Sequence, residues 1–146
     1  SYILNLRTRR LTDQDLTGGL ESLVQEARAH SFLSFQLQID PDAAAAVSAT
    51  QSAELLHIVQ EALSNVRKHA QAKAVTVALT QGADELALRI QDDGVGFDAA
   101  AAEAAGGDGL GNMRARASAL DGRLEVQTDR HKGTSVTVHI PSQPEV

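Results

Sequence analysis

At 146 residues the chain is long enough for one globular domain and too short for two ordinary ones. Hydrophobic residues at 42% and charged residues at 22% are globular proportions that exclude a disordered chain, and the absence of cysteine excludes a disulfide scaffold, a thiolate zinc site and a cysteine nucleophile. A net charge of −6, with Tyr2, Phe32, Phe35 and Phe97 as the whole aromatic complement, disfavours a nucleic-acid surface, and no apolar run approaches the roughly 20 residues of a membrane helix.

The opening segment, residues 1–11, is mixed and basic. It begins without methionine and reads as cut from something longer. Thr12 or Asp13 can cap a helix running to about His30, with Leu16, Leu20, Leu23 and Val24 on one side. Leu33, Phe35, Leu37 and Ile39 alternate with polar residues, a half-buried strand stopped by Asp40-Pro41. The tract Ala43–Ala46 reads as a short helix or a spacer. From about residue 52 to 70, Leu55, Ile58, Val59, Ala62, Leu63 and Val66 recur at helical spacing. Residues 73–80 and 85–91 alternate as two strands around a turn at Gly82-Ala83-Asp84. A glycine- and alanine-rich loop runs from Asp93 to about Asp108. A second amphipathic helix carries Leu110, Met113, Ala117 and Leu120, with Gly122 as its expected stop. Strands Leu124–Thr128 and Thr134–Ile140 close the chain. Alternation in every strand predicts a sheet buried on one face, hence a two-layer α/β sandwich with a mixed, mostly antiparallel sheet.

Four features carry chemistry. At roughly 100° per residue, His57, Glu61, Asn65 and Lys68 share a stripe apart from the apolar face of their helix. A solvated face of i,i+4 pairs would look similar. Asparagine weakens a helix interior, however, and its carboxamide oxygen can ligate a hard cation such as Mg²⁺ while Arg67 and Lys68 meet phosphate charge. Asp92-Asp93-Gly94-Val95-Gly96-Phe97 follows a strand directly. It is either a strand-terminating turn or a base pocket in which the Asp92 carboxylate accepts a hydrogen bond from an exocyclic amine. The run Gly106 to Met113 opens a helix with glycines. That suits a flexible linker or a phosphate cradle of free backbone N–H groups, though it is neither a Walker loop nor a dinucleotide fingerprint. Last, Lys132-Gly133-Thr134 alone reads as a hairpin turn.

In this fixed order the four features resemble the ATP-binding catalytic domain of sensor histidine kinases, within the superfamily that also holds gyrase, a heat-shock chaperone and the MutL ATPase. The resemblance runs from about residue 51 to 141. Glu61-Ala-Leu-Ser-Asn65-Val-Arg67-Lys68-His69-Ala70 is similar to that family's N box. Asp92 to Phe97 resembles its first glycine box, Gly107 to Arg116 its second, and Gly133-Thr134 its third. The wording is most similar to the nitrate/nitrite-sensor and lipid-fluidity-sensor subfamily.

The resemblance implies a Bergerat-type fold, with residues 1–30 as the end of a preceding helical hairpin and linker and 31–146 as the catalytic domain. It implies ATP and Mg²⁺ as ligands, with Asn65 on the metal and Lys68 and His69 on phosphates or ribose. Asp92 would take the adenine amino group, helped through water by Thr134. Gly94 and Gly96 would floor the base pocket, and Gly107, Gly109, Leu110 and Gly111 would line the triphosphate. Glu61 stands where gyrase-like ATPases carry their water-activating base. The implied reaction moves the γ-phosphoryl to a histidine on a separate helical hairpin, which this chain lacks in recognisable form. Implied too are a cytoplasmic location, a response regulator downstream, a monomeric isolated domain and a homodimeric parent, with no contact to membrane or nucleic acid. A serine kinase of the anti-sigma type, a stand-alone ATPase and a non-catalytic nucleotide-responsive module are the alternatives.

Overall fold

The computed structural model describes residues 16–95, 108–129 and 133–142. Helix α1 spans Leu16–Ala29, strand β1 Ser34–Ile39, helix α2 Pro41–Ala46 and helix α3 Ala49–Asn65. A π-helical turn, Val66–Ala70, extends α3. Strands β2 (Ala74–Gln81) and β3 (Glu85–Asp92), helix α4 (Asp108–Ala119) and strands β4 (Arg123–Asp129) and β5 (Gly133–Pro141) follow.

Local chemistry explains these boundaries. Asp40 caps α2 by accepting from the Asp42 N–H at 2.9 Å, and Pro41 takes the first helical position, where its missing N–H costs nothing. The alanine tract is thereby a helix rather than a spacer. Ser48 and Gln51 form a reciprocal capping box at the start of α3, with bonds of 3.1 and 2.9 Å. The stop after α4 works differently from expectation. Asp121, not glycine, takes the left-handed conformation (φ 57°), whereas Gly122 is required because any Cβ there would collide with the His139 carbonyl.

The five strands form one sheet in the order β1-β2-β3-β5-β4. β1 lies parallel to β2, with Phe35 opposite Val75, and the remaining pairs are antiparallel. A parallel pair needs a crossover, and here α2, α3 and the π-helical turn supply it. The expected mixed, mostly antiparallel sandwich is thus the observed one.

Alternating residues of the sheet point to the helices. Val75, Val77 and Leu79, then Leu86, Leu88 and Ile90, then Val136, Val138 and Ile140 are all buried. Against them pack Leu55, Ile58, Val59 and Ala62 of α3, Leu110, Met113 and Ala117 of α4, and Leu16, Leu20 and Val24 of α1. Each fully buried Leu or Ile contributes about 1.5–3 kcal/mol, so the periodic positions decide the fold. Packing is continuous across residue 30, since α1 shares this core. Its expected caps, Thr12 and Asp13, lie outside the described residues.

Candidate functional site

The apolar stripe of α3 turns its opposite side away from the sheet, and Glu61 and Asn65 lie there half-buried, between exposed His57 and exposed Lys68. Helix α4 passes directly over this pair. A Cβ built on Gly109 would sit 2.9 Å from Glu61 Oε1 and 3.3 Å from Asn65 Nδ2. Glycine there lets the backbone of the first turn of α4 come against a carboxylate and a carboxamide. Gly111 has open space where its Cβ would stand. Leu110 is buried, so its side chain serves the core and only its backbone is available to a ligand. Farther along the seam, a cavity of about 80 Å³ is lined by His57, Gln60, Glu61, Asn112, Met113 and Arg116. Arg116 closes that end through an ion pair with Glu54 at 3.2 Å.

The second cluster forms where β3 ends. Asp92 is the last residue of the strand and only 5% exposed. Its Oδ1 accepts from the Gly94 N–H at 2.8 Å, and the Thr134 backbone N–H also bonds its carboxylate. Burial pushes its pKa above the ordinary aspartate value, partly offset by those two amides and reinforced by the neighbouring Asp93 charge. Thr134, also buried, donates its hydroxyl to Thr128 Oγ1 at 3.1 Å. Gly133 holds φ +89° with its Cα against the Asp92–Asp93 peptide. Gly133 and Thr134, the start of β5, therefore pack directly against Asp92, while Lys132 lies outside the described residues.

Asp93 ties the end of β3 to the start of β2, a role the sequence did not announce. Its Oδ1 accepts from the Ala74 and Lys73 N–H groups at 2.9 and 2.8 Å. Those bonds, the Ala74 one foremost, hold its pKa below the usual carboxylate range. They pin the start of β2, where the chain arrives from Asn65, to the end of β3, where Asp92 sits. Two consecutive acids after a strand were the signal available, since one carboxylate cannot serve both places.

The π-helical turn carries Arg67 and Lys68, both exposed, and ends at Gln71 with φ 51°. Wide turns of this kind frequently mark functional sites, and the sequence spacing had read this stretch as regular helix to residue 70. Of His69 only the backbone is described. Gly96 and Gly107, like the whole loop between residues 96 and 107, lie outside the described residues.

Residues 50–144 match the family described as histidine kinase-, DNA gyrase B-, and HSP90-like ATPase. The chain is similar to the sensor histidine kinase LiaS of Bacillus subtilis, 36% identical over 99% of the chain and 39% of that protein. It is equally similar to the signal transduction histidine-protein kinase/phosphatase UhpB of Salmonella typhimurium, 36% identical over 94% of the chain and 27% of that protein. The chain therefore spans well under half the length of either relative. Among solved structures, the Acinetobacter baumannii histidine kinase AdeS superimposes over 97% of this chain and 77% of its own, with a TM-score of 0.73 at 16% identity. That likeness establishes a shared fold.

Proposed function

The chain belongs to the histidine kinase-, DNA gyrase B-, and HSP90-like ATPase family, and we propose that it is the catalytic module of a sensor histidine kinase. In this reading it binds Mg-ATP and transfers the γ-phosphoryl to a histidine ring nitrogen on a separate helical domain. The observation that carries it is the Asp92 carboxylate, buried at a strand end and fixed by two backbone N–H groups. An ionised carboxylate offers about four acceptor positions, so two remain for an exocyclic amine. Guanine would present a carbonyl there and be repelled.

The other cluster supports the triphosphate end. Asn65 and Glu61 bring a carboxamide oxygen and a carboxylate to one point against the Gly109 backbone, a donor set of hard oxygens that suits Mg²⁺. Bound there, the ion would neutralise phosphate charge and leave the protein to position the groups. Asn65 would hold it, with Lys68 and His69 on phosphates or ribose. Gly94 and Gly96 would floor the base, Thr134 would reach it through water, and Gly107, Gly109 and Gly111 would face the phosphates. Glu61 stands nearest the reacting end, where a carboxylate can orient the acceptor imidazole or take its proton. A neutral imidazole is needed for attack, and an unperturbed pKa of about 6.5 provides it at neutral pH.

Leu16, Leu20 and Val24 in the core support counting α1 with the catalytic domain rather than with the expected preceding hairpin and linker. The parent is proposed as a cytoplasmic-facing homodimeric kinase with a response regulator downstream. Among the described residues no helix is long and apolar enough to cross a membrane. The test is calorimetry with Mg-ATP followed by labelled transfer to an acceptor-histidine hairpin supplied in trans. Asn65→Ala and Asp92→Ala should each abolish measurable binding. Undiminished affinity in both would overturn the site, and steady hydrolysis without transfer would reassign the module to an ATPase.

A further inference from the structure

Among the described residues the sheet ends in two edge strands, β1 and β4, and they are guarded differently. β4 exposes Arg123 and Glu125, which pair with Glu85 and His139 on the open face. Charges along an edge discourage another strand from adding there. β1 carries no charge in its six residues. Its backbone groups alternate in direction. The Ser34 and Asp40 N–H groups donate toward β2, to the Lys73 and Leu79 carbonyls at 2.9 and 3.0 Å. In a parallel ladder the N–H and C=O of one residue point the same way, so Phe35, Leu37 and Ile39 turn theirs outward. The Phe35 carbonyl indeed accepts from the Arg28 guanidinium of α1, at 3.2 Å. The outward groups of Leu37 and Ile39 have no partner among the described residues. The side chains of the same three residues pack on the core yet stay half-buried, so the apolar layer is unfinished at this edge.

Independently of the kinase reading, we infer that the β1 edge is a self-association surface. A second copy of this chain adds its own β1 antiparallel to the first, joining the two sheets into one. An isologous contact needs a strand that complements itself, and this one does. With the twofold axis at Leu37, every outward residue of β1 finds a mate: Leu37 faces Leu37 of the other copy, and Phe35 faces Ile39. Each of these pairs exchanges both backbone bonds. A register shifted toward the N-terminus would call on Leu33, whose N–H already donates to Ser31 Oγ at 3.4 Å. On the core side the half-buried apolar rows of the two copies meet and finish the layer. On the wet side exposed Gln36 faces Gln38, so side-chain amides pair and no like charges meet. Arg28 is no obstacle, because the Phe35 carbonyl has a second acceptor position for the incoming N–H. A short strand buries little area, so the dimer is weak and forms as concentration rises.

The experiment follows the 146-residue chain by sedimentation from micromolar to millimolar concentration, with amide hydrogen exchange read residue by residue. The apparent mass should rise from 15.4 kDa toward twice that value. Over the same range the Leu37 and Ile39 amides should gain roughly tenfold protection, while those of Gln36 and Gln38, already bonded to β2, change little. Two double variants test the contact itself, Gln36→Glu with Gln38→Glu and Gln36→Lys with Gln38→Lys, both on exposed side chains. Each should stay monomeric alone, and the two should associate when mixed, because opposite charges then face each other across the pair. Association on mixing also shows that both variants fold. A chain that stays monomeric throughout overturns the inference. A dimer that neither double variant weakens overturns it too, by placing the contact on another face. So does full protection of Leu37 and Ile39 in the monomer, which would mean that the chain covers its own edge.

Discussion

The carbonyl of Asp92 occupies the space that the Cβ of any other residue at position 133 would need, and Gly133 itself holds φ +89°. Two strands far apart in sequence are thereby locked backbone to backbone beside the buried carboxylate. Gly133→Ala should cost about 1–3 kcal/mol from the strained backbone alone, before the collision is counted. Thermal unfolding checks the first effect. Nucleotide titration checks the second, since moving the peptide displaces Asp92 and should remove ATP binding.

Asp92→Asn separates function from stability. The amide keeps the shape, yet one oxygen becomes a donor and meets the adenine amine with the wrong polarity. Affinity for ATP should fall roughly 10- to 100-fold, the equivalent of one charge-assisted hydrogen bond at about 1.5–3 kcal/mol. The melting temperature should hold or rise, because burial opposes the charge that the substitution removes. A lower melting temperature with intact binding would contradict the assignment.

The same burial sets a pH dependence. Binding needs the carboxylate, and the Asp92 pKa is raised by desolvation above its ordinary value. ATP affinity should therefore decline on acidification at a higher pH than an exposed aspartate would give. For folding the sign is opposite: a raised carboxyl pKa stabilises at low pH, and that contribution is lost as pH rises through the folded value. Calorimetric titrations across the acid range should show the decline in the parent sequence and a flat profile in whatever binding Asp92→Asn retains.

Asp93 behaves in the contrary sense. Its pKa is lowered by the Ala74 and Lys73 amides, so its contribution to stability is present above the ordinary carboxylate pKa and lost as pH falls through the folded value. Asp93→Ala should destabilise the fold by about 1 kcal/mol at neutral pH, the scale of an exposed hydrogen-bonded group. The two proteins should converge at acid pH. Denaturant midpoints at several pH values measure this directly.

Gly109→Ala probes the triphosphate end. Alanine favours a helix over glycine by as much as about 1 kcal/mol, and the new methyl meets only the movable ends of Glu61 and Asn65. Stability should stay level or rise slightly. Mg-dependent nucleotide affinity and phosphoryl transfer should both fall, because those two side chains are pushed from the point they share.

Much of this was legible in the sequence for a physical reason. Period-two alternation in Val75–Leu79 and Val136–Ile140, and helical spacing from Leu55 to Val66, record directly which atoms water must not touch. The parallel placement of β1 beside β2 was not legible, because pairing is a property of two segments and neither one encodes its neighbour. Asn65 was legible because asparagine weakens a helix interior, and Asp92 because it opens a glycine-spaced run directly after a strand. Asp93, Gly133 against Asp92, and Arg116 with Glu54 escaped notice, since each acts only through a partner distant in the chain. The π-helical turn was not legible either, because its residues also fit ordinary helical spacing.

That turn has a consequence for how the chain tolerates change. Val66–Ala70 holds more residues per revolution than the α-helix feeding it, so it works as a phase shifter between two rigid parts. Deleting any single residue in it would leave the chemical groups of both clusters present while rotating everything downstream by about 100°. The amides that Asp93 captures would then face elsewhere, and the chain would lose its active geometry by angle alone.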